Sequence, residues 1–204
     1  MAQRDVFRAG EGNEWFRRNE SAITPDGDPV LKVLADLKPK RLLEVGCSNG
    51  WRLEEARKRF GALGTGLDPS QQALTDGLGK YPDLRLKRGT AESLPFDTQE
   101  FDCIVYGWCL YLCDREDLFY IAAEGDRVLA PGGYIVIYDF CTPHAYSNPY
   151  SHREGIQSYK MDYARLWSWN PRYTIWRHEV MGFHGVDPMN VDDRLAVTVL
   201  KHTG

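Results

Sequence analysis

Apolar residues along the chain come in two alternating textures. Short, mostly apolar runs, RLLEVG at 41–46 and FDCIVY at 101–106, predict buried strands. ALGTGLD at 62–68, the short run at 84–87 and YIVIYD at 134–139 predict three more. Between them stand stretches with helical spacing: WRLEEARKRF at 51–60, a segment opened by Pro69-Ser70 and reaching Gly79, and 115–129, which Pro131-Gly132-Gly133 brings to an end. Strands separated by helices of about 10 to 15 residues predict right-handed crossovers and a doubly wound α/β architecture, a mostly parallel sheet with helices on both faces.

Past Cys141 the texture changes. The stretch 142–173 is rich in Tyr, Trp, His and Asn, with a helix predicted over 157–169. Two strand-like runs, 173–180 and 194–201, close the chain. No long helix separates them, so they are expected to pair antiparallel at one sheet edge. The expected organisation is one domain with four parts: a cap segment at 1–28, a core at 29–140, an aromatic and histidine-rich insert at 141–172, and closing strands at 173–204.

Composition narrows the setting. With 204 residues, 43% hydrophobic and 26% charged, the chain can build a real core, which excludes a disordered protein. The formal charge of −4 argues against sequence-independent nucleic-acid binding, which needs a basic excess. The longest apolar runs fall short of the ~20 residues of a membrane span, and the polar start does not read as a signal peptide. Five cysteines, an odd number without metal-type pairing, point to a reducing compartment, so a cytoplasmic location is expected.

The segment Glu44-Val45-Gly46-Cys47-Ser48-Asn49-Gly50 joins a predicted strand to a predicted helix. Glycines there let the backbone turn tightly and approach a ligand, and the helix start presents unpaired N–H groups. The carboxylate two residues before the first glycine discriminates among ligands, since it repels a phosphate and favours an ammonium or sulfonium group. A second acid, Asp68, ends the next strand, where it can accept from both hydroxyls of a ribose. A plain tight turn followed by a surface acid is the competing reading, and two acids at consecutive strand ends weigh against it.

LLEVGCSNG, GLDPS, GTAESLPFDTQEFDCIVY and LAPGGYIVIYDF, in that order from about residue 40 to residue 140, resemble the successive signature segments of class I S-adenosylmethionine-dependent methyltransferases. The resemblance implies a Rossmann-like seven-stranded sheet, mostly parallel with the last strand antiparallel, and S-adenosylmethionine as cofactor without a metal. It implies that Glu44 and Gly46 border the methionine moiety, with Cys47 and Gly50 in the same turn. Asp68 would hold the ribose, Pro69 would lie against the adenine, and Thr90, Ala91 and Glu92 would line its edge. The backbone near Tyr106 would pass the sulfonium. Three positions depart from the family pattern: Ser48 where a glycine is frequent, expected at negative φ; Thr90 where an acid commonly meets the adenine amino group; and Leu112 where many relatives carry a histidine. The stretches GNEWFRRNESAI and HREGIQSYKMDYARLWSWNP are similar to methyltransferases of surface-sugar and secondary-metabolite biosynthesis. That similarity implies Trp15 and Arg18 as caps over the methionine carboxylate; an ordinary surface helix is the alternative.

The acceptor is less legible. After the fourth strand, Tyr106-Gly107-Trp108-Cys109-Leu110-Tyr111 lacks the Asn/Asp-Pro-Pro-aromatic element of relatives that methylate planar amide or base nitrogens. Asp102, Asp114, Glu116 and Asp117 do not match the pattern of metal-dependent relatives. All five histidines follow residue 143, and His144, His152, His178 and His184 bracket the aromatic insert, which in this fold lies over the strand ends where ligands bind. His144 and His152 are the candidate general bases, with Asp139 as orienter. Trp108, Tyr111, Tyr159 and Tyr163 are candidate pocket walls, and Arg153 and Lys160 candidate anchors for an acidic group. Alternatively Tyr159, Tyr163 and Trp167, spaced by four, form the buried stripe of one helix. The expected activity is methylation of oxygen, hydroxyl or carboxylate, on a small metabolite or sugar-like molecule by direct displacement. The alternatives are a small amine acceptor, a cofactor-binding partner subunit without turnover, and a nicotinamide oxidoreductase, which Glu44 disfavours.

Overall fold

The computed structural model describes residues 2–22 and 24–204. Met1 and Ile23, the last residue of GNEWFRRNESAI, lie outside the described residues, as does the side chain of His184. Helix α1 (Gln3–Val6) continues through a wide turn over Phe7–Glu11 into α2 (Gly12–Asn19). Helix α3 (Pro29–Leu37), which the sequence reading did not include, starts at a capped turn: Asp28 accepts from the Leu31 N–H at 2.8 Å and Pro29 takes the first helical position.

The core then alternates as expected, with β1 (Arg41–Val45), α4 (Trp51–Phe60), β2 (Leu63–Asp68), α5 (Gln71–Lys80), β3 (Arg85–Arg88), β4 (Phe101–Gly107), α6 (Leu118–Val128) and β5 (Leu129–Phe140). The chain closes with a small hairpin of β6 (Tyr146–Pro149) and β7 (Gln157–Lys160), a short α7 (Arg165–Ser168), and strands β8 (Tyr173–Gly182) and β9 (Arg194–His202). Seven strands form one sheet in the order β3-β2-β1-β4-β5-β9-β8. Strands β1 to β5 pair in parallel, and β9 runs antiparallel between β5 and β8. The order reverses between β1 and β4, which opens the crevice beyond their carboxyl ends.

Both sheet faces are covered. Leu43, Ile104, Tyr106, Ile135 and Ile137 pack into one apolar cluster with Tyr163 and Trp167, whereas Leu42, Cys103, Val105, Val136 and Val199 pack into the other with α3 and α4. Neighbouring residues of each strand thus face opposite layers, which is why the runs read as mostly apolar stretches.

Two elements differ from the sequence reading. Pro131-Gly132-Gly133 do not precede the fifth strand but form an irregularity within it, so that Phe101 pairs with Leu129 and Cys103 with Tyr134. The helix predicted over 157–169 is largely absent, since Gln157–Lys160 is a hairpin strand and only Arg165–Ser168 is helical. Tertiary bonds override the helical spacing: the Gln157 N–H donates to Gln3 Oε1 at 2.6 Å, and Lys160 Nζ donates to the Asp192 carbonyl at 2.6 Å. Tyr159, Tyr163 and Trp167 therefore lie on three different pieces of backbone rather than one stripe.

The N-terminal segment is fastened over the strand ends. The Gln3 N–H donates to Asp114 at 2.9 Å, Arg4 pairs with Asp117, and Asn13 Oδ1 accepts from Ser70 Oγ at 2.8 Å and the Gln72 N–H at 3.1 Å. These bonds set α1 on the loop after β4 and α2 across the start of α5.

Two glycines in α5 test the packing. A methyl on Gly77 would land on the Asn49 carbonyl, whereas one on Gly79 meets nothing within 4 Å. Helix propensity favours alanine by about 1 kcal/mol at either site. Gly79→Ala is therefore expected to stabilise by about 0.5–1 kcal/mol, and Gly77→Ala to destabilise by about 1–3 kcal/mol, in urea unfolding. Equal effects at the two positions would contradict this packing.

Candidate active site

The turn after β1 holds three residues in left-handed backbone: Gly46 (φ 75°), Ser48 (φ 54°) and Gly50 (φ 79°). The expectation that Ser48 keeps a negative φ is thus corrected. The turn needs three such residues, and the middle one is a serine at a cost of about 1–2 kcal/mol. Bonding to β2 compensates, because the Gly46 and Cys47 N–H groups donate to the Leu67 carbonyl at 2.8 and 3.1 Å. The Ser48 N–H donates to Asp68 Oδ2 at 2.8 Å, and the Ser70 N–H donates to Asp68 Oδ1, also at 2.8 Å. Asp68, only 9% exposed, therefore holds both loops while each oxygen keeps a free lone pair. Burial pushes its carboxyl up to about 6 against the pull of those two N–H groups.

Glu44 is 1% exposed and pairs with Arg52, which lies in the first turn of α4. Arg52 also binds Asp28 through Nε at 3.2 Å and Nη2 at 3.0 Å. With both carboxyls ionised, two carboxylates against one guanidinium leave a net charge of minus one. Glu44 Oε2 is buried without a hydrogen-bond partner among the described residues. Burial pushes the Glu44 carboxyl up to about 7, opposed by Arg52, while the two carboxylates outweigh burial at Arg52 and hold it firmly charged.

Two cavities meet at the strand ends, and Trp15, Gly46 and Trp108 line both. The narrow one, about 100 Å³, is lined by Asp68, Pro69, Thr90, Ala91 and Glu92 together with Phe7 and Gly12 of the cap segment. The wide one, about 520 Å³, is bordered by Cys47, Ser48, Asp28 and Arg52 on the turn side and by aromatic rings opposite.

The residues singled out in the sequence divide between these spaces and elsewhere. Trp15, Gly46, Asp68, Pro69, Thr90, Ala91 and Glu92 line the narrow cavity, and Cys47, Tyr111, Trp108 and His152 the wide one. Thr90 Oγ1 donates to Glu92 Oε1 at 2.7 Å, and Leu112 sits in the narrow wall. Glu44, Gly50, Arg18 and Tyr106 line neither: Gly50 caps α4, Tyr106 is core, and Arg18 donates to Glu11 at 2.6 Å and to Tyr150 Oη at 3.0 Å.

The insert residues are mostly committed to structure. Lys160 is tied to Asp192, Arg153 is exposed outside both cavities, and the rings of Tyr159 and Tyr163 flank Arg115. His144 is exposed, with its ring on Tyr146. Asp139, pushed up to about 7 by burial, accepts from the Leu110 and Phe140 N–H groups at 2.9 and 2.8 Å. Its bonds hold the turn after β4 rather than a histidine.

Arg52, Asp28, Tyr138, Tyr150 and Phe183 reach the site without having been singled out. Arg52 left a readable sign: a cation in the first turn of a helix opposes the helix dipole and implies a nearby acid. Tyr150 sits in irregular chain and Phe183 in a 3-10 turn directly after β8, and nothing local marks their approach to the cavity. Among the described residues no group of three or more His, Cys, Asp or Glu is placed to hold a metal ion, and no helix is long and apolar enough to cross a membrane.

With this geometry in hand, likeness to known proteins is informative. Residues 43–137 match the profile of the methyltransferase domain family. The chain is similar to a fatty-acid O-methyltransferase of Mycolicibacterium smegmatis, 34% identical over 108 residues that cover 52% of this chain and 39% of that protein. It is equally similar to a demethylmenaquinone methyltransferase of Chlorobaculum tepidum, 34% identical over 107 residues covering 52% and 43%. The matched stretch thus spans about two fifths of the length of these relatives. In fold, the chain superimposes on a 1,6-didemethyltoxoflavin-N1-methyltransferase of Burkholderia thailandensis, solved with its substrate and S-adenosylhomocysteine. The TM-score is 0.77 at 15% identity, covering 98% of this chain and 88% of that one.

The left-handed serine is testable. Ser48→Gly relieves the backbone and removes a buried hydroxyl without a partner among the described residues, against a more flexible unfolded chain. It is expected to raise unfolding stability by about 0.5–1 kcal/mol. A loss of stability would show that the serine side chain supports the turn.

Proposed function

We propose that this chain, whose residues 43–137 form a methyltransferase domain, transfers a methyl group from S-adenosylmethionine to an oxygen of a small metabolite. The observation that carries the reading is the pairing of a buried net negative charge at the glycine turn with Asp68 at the next strand end, both beside joined cavities. The residues present fit such a cofactor. The surplus charge of Glu44 and Asp28 over Arg52, which reaches the wide cavity through Arg52 and Asp28, suits an ammonium and a sulfonium. Asp68 has a free lone pair on each oxygen for the two hydroxyls of a ribose. Pro69, Ala91 and Leu112 offer flat apolar contact to a base, with Thr90 and Glu92 at its edge.

When bound, the cofactor supplies a methyl group on a positively charged sulfur, electrophilic enough for direct displacement. The protein's task is then alignment and exclusion of water. Trp15 and Trp108, which line both cavities, form the walls between which a nucleophile and the methyl would meet. His152, at the exposed rim of the wide cavity, is the group placed to take a proton from a hydroxyl acceptor. An amine acceptor is the second reading, favoured by Asp26 and Asp28 in the same wall.

Calorimetry with S-adenosylmethionine and with NADH tests the cofactor: the first is expected to bind and the second not, and the reverse would overturn the reading. The carboxylate form of Asp68 is the one that accepts ribose hydroxyls. With its carboxyl at about 6, affinity is expected to be flat above pH 7 and to fall about tenfold between pH 7 and pH 5. Asp68→Asn should weaken binding about tenfold or more at pH 7.5 and flatten this fall. His152→Ala is expected to lower kcat and leave cofactor affinity unchanged; full activity would remove the base assignment.

A further inference from the structure

The wide cavity has a lining unlike that of a general apolar pocket. Seven Phe, Trp and Tyr side chains line it, Trp15, Trp51, Trp108, Tyr111, Tyr138, Tyr150 and Phe183, while among its described lining residues there is no Leu, Ile, Val or Met. Trp108 anchors this wall. It is held in left-handed backbone (φ 55°), its N–H donates to the Tyr138 carbonyl at 2.9 Å, and its ring makes edge contacts with Tyr111, Tyr138, Phe140 and Phe183 at centroid distances of 5.4 to 5.8 Å. A bulky residue at positive φ is costly and persists only where its surroundings fix it. The surroundings here are rings, so the wall is rigid as well as aromatic.

The charges complete the picture. The one lysine or arginine in the lining, Arg52, is spent on Glu44 and Asp28, and Asp26 adds a negative charge at the rim. Lys160 and Arg153, the anchors expected for an acidic group, lie outside the cavity. Besides Arg52, the groups that could face a carboxylate acceptor are His152 in the lining and Arg18, which is held by Glu11 and Tyr150, so an acidic acceptor meets no lysine or arginine that is not already engaged among the described lining residues. A hexose could stack its C–H face on these rings but is strongly hydrated at its rim, so glucose serves as a competing probe. A flexible alkyl chain would find no aliphatic channel.

We propose, resting on the methyltransferase reading, that the acceptor is a planar aromatic or heteroaromatic molecule, neutral or cationic, bearing its hydroxyl or ring nitrogen between Trp15 and Trp108. Flat rings stack on or against the edges of fixed aromatic side chains with little loss of rotamer freedom. The hydroxyls of Tyr111, which accepts from Trp15 Nε1 at 3.3 Å, and of Tyr150, which accepts from Arg18, each keep a proton to donate to a ring oxygen or nitrogen.

Four probes separate the classes: 2-naphthol, its carboxylate counterpart 2-naphthoate, decanoate and glucose, each titrated at pH 7 into the full chain saturated with S-adenosylhomocysteine. 2-Naphthol is expected to bind at least tenfold more tightly than each of the other three. Phe183→Leu, at a residue that lines the wide cavity and not the narrow one, is expected to weaken 2-naphthol about three- to tenfold and to leave S-adenosylhomocysteine affinity unchanged. Decanoate, 2-naphthoate or glucose binding as well as 2-naphthol would overturn the inference, as would 2-naphthol affinity indifferent to Phe183→Leu. If S-adenosylhomocysteine binds in those cases, the cofactor reading stands and only the acceptor class falls. Failure of S-adenosylhomocysteine itself to bind overturns both.

Discussion

The site depends on a buried carboxylate that is already half used. Asp68 accepts one N–H from the turn after β1 and one from the start of α5, so a single side chain fixes two loops that border the same crevice. Because it is buried, its charge is expensive, and that cost is tolerable only while donors surround it. The two backbone donors cover part of the need. A ribose would cover the rest, which is the physical sense in which the free protein is prepared for a nucleoside.

Glu44 follows the same logic by a different route. Its acid is not presented directly to the cavity but passes through Arg52 to Asp28, and Asp28 also caps α3. The glycine turn, the start of α4 and the start of α3 are therefore linked through one guanidinium. The cap segment adds the remaining wall: Gln3, Arg4 and Asn13 bind it to the loop after β4 and to α5, which brings Phe7 and Trp15 over the strand ends. The sheet supplies the crevice, the carboxylates its charge, and the cap its closure.

Most of the core was legible because its cues are local. Short, mostly apolar runs such as Ile104–Tyr106 and the Pro69-Ser70 start of α5 each name their element with little help from the rest of the chain, whereas α3 went unread. The antiparallel closing pair could be read because no helix fits between its strands. The insert was misread for the complementary reason. Its tyrosines and tryptophans have helical spacing, but Gln157 and Lys160 are held by Gln3 and Asp192, and long-range bonds of that kind leave no periodic trace. The same limit applied at the site. Asp68 stands at a strand end that a sequence can mark, whereas Phe183 and Tyr150 reach the wide cavity only through the path of the folded chain. Ser48 is a subtler case, since a serine does not announce a left-handed backbone and only its bond to Asp68 explains it.

A crystal structure of the complex with S-adenosylhomocysteine tests the central claim most directly. The account predicts both ribose hydroxyls within hydrogen-bond distance of Asp68, with the amino-acid end beside the glycine turn and Arg52. A crevice left empty at saturating ligand, or a nucleoside bound with Asp68 turned away from its sugar, would contradict it.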